Sequence, residues 1–266
     1  AGTLWNLGRY DEAREMEEQV LALRLEVLGE RHPETADAYG SLAGTLNSLG
    51  LHDEAYLLYE KSLEICLEVL GERHLETATA YSKMASTFRN QGRYDESREL
   101  AEKTLDIRLE VLGEHHPDTA RAYGSLAATL GHQGKDDEAR ALAKKSLVII
   151  RDTLGERHPD VAIAYSNLAD LLTKMELHED AKGLKENALA ILQEVLGDHP
   201  NTAQAHRSLA VSEGILGHLP EACKHFKTAR GIARRRIPAK DPIHKDLERW
   251  IKKLSRVLKA RPGGKK

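Results

Sequence analysis

The chain has 266 residues, 41% of them hydrophobic and 30% charged, and carries a formal net charge of −3. That balance excludes a disordered or low-complexity polymer. No apolar run approaches the ~18 residues of a membrane-crossing helix, which excludes that class as well.

Residues 1–8 repeat 43–50 almost letter for letter, so the chain opens inside a helix. We therefore expect a truncated first hairpin over residues 1–28 and a fragment of a longer protein. A Gly-Glu-Arg-His-Pro-type tract then starts at Gly29 and returns at Gly71, Gly113, Gly155 and Gly197, each step 42 residues. A fixed period of this size marks a solenoid built from one stacked supersecondary unit.

In the unit from His32, Pro33 suits the first turn of a helix because its missing N–H is not needed there. Ala36, Tyr39, Leu42, Ala43, Leu46 and Leu49 follow at three-and-four spacing and form one apolar stripe. Gly50 is placed to end that helix in a left-handed turn. Asp53 reads as the N-cap of a second helix, with a stripe of Ala55, Leu58, Tyr59, Leu63, Cys66, Leu67 and Leu70, stopped by Gly71. Small residues recur at Ala43, Ala85, Ala127, Ala169 and Ala210 on first helices. Ala55, Ala139, Ala181 and Ala222 match them on second helices, with Ser97 as the exception. Such positions let helices approach closely. The fold predicted is all-α: a right-handed α-solenoid of antiparallel helix hairpins, with five repeats over 29–236, a capping helix over 237–260 and a basic tail over 261–266.

The pattern Tyr39/Leu42/Ala43, Tyr81/Met84/Ala85, Tyr123/Leu126/Ala127 and Tyr165/Leu168/Ala169, followed by Gly-x-x-Asp-Glu-Ala, resembles the tetratricopeptide repeat. The usual unit is about 34 residues; the longer form here is similar to the repeats of kinesin light chains. The resemblance implies a protein-interaction scaffold or adaptor whose first helices line a concave peptide-binding face. It places Lys83, Arg89, Asn90, Arg121, Asn167, Lys174 and Arg207 on that face. Asn167 alone matches one half of the Asn pair typical of kinesin light chains. Cations spaced along a groove suit a protein or peptide ligand carrying carboxylates, and the family implies motor-complex or signalling partners. The alternative is the regulatory repeat region of a larger enzyme or signalling ATPase.

The connector histidines His32, His74, His116, His158 and His199 occur once per repeat, so their spacing builds no metal cluster. A capping or packing role is expected of them, with no metal and no cofactor. The Gly131–Lys135 segment is not a phosphate loop, because a helix precedes it and Asp136 stands where Ser or Thr is required. No nucleophile–base motif is present, so no catalytic residue and no enzyme activity are expected. Cys66 and Cys223 fall almost four periods apart, beyond the ~7 Å reach of a disulfide; reduced thiols and a cytoplasmic setting are expected.

Charge is divided unevenly. Residues 224–266 hold 16 basic and 3 acidic side chains, a net of +13, against 23 basic and 39 acidic elsewhere, a net of −16. Asp241 and Pro242 supply an N-cap and first-turn proline for a last helix with the stripe Ile243, Leu247, Trp250, Ile251, Leu254 and Leu258. Its opposite face is basic and suits an acidic partner. Nucleic acid is disfavoured, because no aromatic besides Trp250 is interleaved with the cations.

Overall fold

The computed structural model describes residues 9–239 and 241–260. Among these residues it holds twelve helices and no strand. They are α1 (Tyr10–Leu28), α2 (Pro33–Ser48), α3 (His52–Leu70), α4 (Leu75–Asn90), α5 (Tyr94–Leu112), α6 (Pro117–His132), α7 (Asp136–Leu154), α8 (Pro159–Lys174), α9 (His178–Leu196), α10 (Pro200–Ile215), α11 (Leu219–Arg236) and α12 (Pro242–Ala260). The expectations for 1–8 and 261–266 lie outside the described residues.

The chain divides into two compact units, one ending at Thr153 and one beginning at Leu154. In the first, α2 packs on α3 and α4 on α5, and each hairpin packs on the next through α1–α2, α3–α4 and α5–α6. In the second, α8 packs on α9, α9 on α10, α10 on α11, and α11 on α12. These are the stacked helix hairpins that the period predicts.

Each first helix begins the same way. The Nδ1 atoms of His32, His74, His116, His158 and His199 accept the backbone N–H two residues on, at 3.2, 3.1, 3.1, 3.1 and 3.1 Å. An imidazole thus satisfies one of the N–H groups a helix start leaves open. Pro33, Pro117, Pro159 and Pro200 occupy the next position, where no N–H is needed.

The first helices also end alike. Gly50 has φ +80°, its N–H donates to Asn47 (3.1 Å), and the Leu51 N–H donates to Leu46 (2.9 Å). That pair of bonds is a Schellman turn. Leu51 then starts α3 directly, its carbonyl accepting the Ala55 N–H at 3.0 Å. The expected Asp53 cap is therefore corrected. With α3 beginning at His52, Asp53 sits in the first turn beside Glu54, where both favour the positive end of the helix dipole.

Burial follows the stripes with one shift. Ala36, Tyr39, Leu42, Ala43 and Leu46 are buried, as are Ala55, Tyr59 and Cys66. Leu67 is 38% exposed, whereas Ile65 is 6% exposed and takes its place in the core. Burying such a side chain is worth roughly 1.5–3 kcal/mol, so the hairpins are held by their neighbours. The small positions Ala43, Ala85, Ala169, Ala210, Ala55, Ala139, Ala181 and Ala222 are fully buried. So is Ser97, whose hydroxyl donates to Ala85 O (2.8 Å) and lies 3.0 Å from Thr129 Oγ1. Cys66 and Cys223 are free thiols, both buried.

Exposed ion pairs recur at the connectors: Arg31 with Glu68, Arg73 with Glu110, and Arg157 with Glu194 (2.5 Å). The last connector reverses the charges, with Asp198 accepting from Arg235 at 2.6 Å. Exposed pairs of this kind add little stability each.

At the end of the second unit, Asp241 Oδ1 accepts the Ile243 N–H at 2.8 Å and caps α12. Leu247, Ile251 and Leu254 are buried against α11, and Trp250 stacks on Phe226 with ring centroids 5.7 Å apart.

Candidate functional site

The candidate residues sit on first helices and are held by different means. In the first unit, Lys83 of α4 extends back over α2. A Cβ built on Gly40 would meet its Nζ at 3.1 Å, so a side chain at residue 40 would crowd the ammonium. From there Nζ lies 4.0 Å from Asp37 Oδ1. Arg89, also on α4, is half-buried and reaches α6, with long contacts to Ser125 Oγ (3.4 Å) and O (3.5 Å). Burial draws its pKa down, yet a guanidinium remains charged at any physiological pH. Asn90 is exposed at the end of α4, and Arg121 is exposed on α6, paired with Asp118 one turn earlier.

In the second unit, Asn167 and Lys174 are exposed on α8. Arg207 of α10 differs from the expectation of an open groove cation. Its Nε donates to Asp246 Oδ2 of α12 at 2.7 Å, so its charge is met within the chain. A cavity of about 530 Å³ opens beside this pair, lined by Pro200, Gln204, Asp241 and Ile243 among others.

The structure brings together groups that the sequence pattern did not single out. Lys185 of α9 is 5% exposed. Its ammonium lies 3.0 Å from Ser212 Oγ, 3.3 Å from Thr173 Oγ1 and 3.6 Å from Asp170 Oδ1. Burial pushes its pKa down, opposed by the Asp170 charge. Glu213 is buried on α10, between Lys182 (3.2 Å) and His218 (2.6 Å). Next to these, the buried His206 faces His225. Alignment by the 42-residue step carried a signal: Lys185 stands where other repeats hold Tyr59, Ala101, Ala143 and Phe226, and His206 where they hold tyrosine.

Among the described residues, no group of three or more His, Cys, Asp or Glu side chains is placed to hold a metal. None of their helices is long and apolar enough to cross a membrane.

The tetratricopeptide repeat family profile matches residues 1–68, 38–108, 76–152, 126–192 and 160–235 in overlapping copies. The chain belongs to the tetratricopeptide repeat family. Similar structures include a Podosopora anserina protein of nearly identical TPR-like repeats of the kinesin-light-chain type. It is 24% identical, with a TM-score of 0.61, over 77% of this chain and 97% of that one. BtubC from P. vanneervenii is 19% identical, with a TM-score of 0.59, over 100% of this chain and 96% of that one. RapI in its apo form is 18% identical, with a TM-score of 0.60, over 85% and 84%. Comparison with curated proteins gave no match.

Proposed function

We propose that this tetratricopeptide chain is a non-catalytic protein-interaction scaffold that takes acidic peptide segments on the first-helix faces of its units. One observation carries the reading. In each unit a first-helix cation already faces a carboxylate from a neighbouring helix, Lys83 with Asp37 and Arg207 with Asp246. The Lys83 contact is long and half-exposed, so a ligand carboxylate competes with Asp37 at little cost. On first helices of the same unit, Arg89, Asn90 and Arg121 add hydrogen-bond donors that suit a carboxylate or a peptide carbonyl. The buried free thiols fit a reducing, cytoplasmic setting.

The test is a titration of Lys83→Glu/Arg121→Glu against a fluorescent Glu-rich peptide at moderate salt. We expect at least a tenfold loss of affinity with unchanged helicity. Equal affinity for the parent and the double variant removes the reading.

A further inference from the structure

The most concentrated charge in the chain lies outside the candidate peptide faces. On α12, Lys245, Arg249, Lys252, Arg256 and Lys259 are all exposed. They follow one another at alternating steps of four and three residues, so they line one face of the helix. That face lies opposite Leu247, Ile251 and Leu254, which are buried against α11. At 1.5 Å per residue the row is about 21 Å long, with one cation every ~5 Å.

Nothing within the described residues neutralises it. The two carboxylates of α12 are used elsewhere, Asp246 by Arg207 and Glu248 by Arg234 at 3.1 Å. Among the described residues, no ion pair involves any of the five cations. Lys253, beside the row, lies over the Trp250 ring at 5.1 Å.

We propose that this row is a docking surface for the anionic headgroup plane of a lipid bilayer, a peripheral contact distinct from peptide recognition. Three polyanions compete for such a row, and geometry separates them. A helix that reads a duplex groove commonly brings side-chain amides to base edges beside its cations, and α12 carries no Asn or Gln. Single strands need stacking platforms, whereas Trp250 is already stacked on Phe226. An acidic helix docks through an apolar seam, and Val257, 41% exposed, is the large exposed hydrophobic side chain on α12. A flat headgroup layer asks for none of these features. It needs only a straight, coplanar set of cations, each worth about 1 kcal/mol near an anionic leaflet. The apolar face of α12 stays in the protein core, so the contact is electrostatic, shallow and reversible.

The experiment is flotation of the full chain with vesicles of phosphatidylcholine alone or with about one third phosphatidylserine. We expect the chain to float with the serine vesicles at low salt and to be released at high salt, since the Debye length falls from ~30 Å at 0.01 M to ~3 Å at 1 M. Lys252→Glu/Arg256→Glu should cut the bound fraction at least tenfold, while Lys144→Glu, an exposed lysine in the other unit, should leave it unchanged. Circular dichroism checks that the double variant folds, and Lys245→Gln/Lys259→Gln provides a second, gentler pair. Equal flotation with neutral vesicles, no flotation at low salt, or flotation unaffected by both pairs overturns the proposal. So does preferential release by duplex DNA or polyglutamate at matched charge. The Glu-rich peptide titration is independent of these variants, so either reading can fail alone.

Discussion

His206 Nδ1 lies 2.9 Å from His225 Nδ1, and Gln193 Nε2 lies 3.1 Å from the other nitrogen of His206. Gln193 Nε2 can only donate, which leaves the His206 proton on Nδ1, pointing at His225. A second proton on His206 would break that chain of bonds. Burial first, and then the charge of His225, hold the His206 pKa down to about 4, from an ordinary 6.5. His225 is lowered as well, by burial.

The sign of the pH dependence follows. Between pH 6.5 and 4 the unfolded chain binds a proton at His206 that the folded chain refuses. Stability is therefore lost as pH falls through this window and levels off below it. At 1.36 kcal/mol per pH unit the loss is on the order of 3 kcal/mol. Urea unfolding at pH 7 and pH 4.5 measures it. His206→Tyr, the residue at the matching positions Tyr39, Tyr81, Tyr123 and Tyr165, should remove the His206 share of the slope and leave that of His225. An unchanged slope places the pH sensitivity elsewhere.

Glu176 occupies a glycine position. It has φ +61°, where Gly50, Gly92, Gly134 and Gly217 take +80°, +78°, +80° and +84°. The turn is the same Schellman motif, with Glu176 N–H donating to Thr173 at 3.2 Å and Leu177 N–H to Leu172 at 2.9 Å. A side chain in the left-handed region costs about 1–2 kcal/mol, partly offset by the greater unfolded-state entropy of glycine. Glu176→Gly should raise stability by roughly 0.5–1 kcal/mol, read as a shifted denaturation midpoint at constant m-value. A lower midpoint contradicts the turn assignment.

The period, the paired helices and the first-helix stop at Gly50 were all legible, because each depends on residue type at a fixed local spacing. The spacing puts Leu67 in the stripe and leaves Ile65 out, because both lie within a turn of the seam and only packing on the partner helix distinguishes them. The candidate site was less readable. Lys83, Arg121 and Arg207 look alike as cations on first helices, yet their partners arise from different places. Asp37 and Asp246 come from neighbouring helices, Asp118 from the same helix. Lys185 gives no such signal by residue type, because lysine on a second helix normally marks the solvent side.

Lys185 itself supports a prediction. Its ammonium is buried among two hydroxyls and one carboxylate, and Asp170 is itself largely exposed. Taking a charge out of water costs several kcal/mol, and a single long contact to an exposed carboxylate returns only part of it. Lys185→Met should therefore be neutral or stabilising by up to about 1 kcal/mol, with Asp170 left to solvent. The folded pKa is depressed, so the parent should gain stability relative to the variant as pH rises toward the ordinary lysine value of 10.5. A loss of about 3 kcal/mol or more in Lys185→Met would show the charge to be better compensated than its contacts indicate.

The histidine caps can be tested at His116, whose Nδ1 accepts the Asp118 N–H at 3.1 Å. His116→Ala leaves that N–H to water and should cost about 1 kcal/mol. His116→Asn restores an acceptor of similar reach and should recover most of the loss, because asparagine is among the preferred N-cap residues. Both variants keep Pro117 and the Thr119 hydroxyl bond to the Gly113 carbonyl (2.8 Å), so the rest of the connector is undisturbed. The comparison separates capping from packing. If alanine and asparagine give the same midpoint, the imidazole acts through its ring contacts alone, and the recurrence of histidine at this position needs another cause.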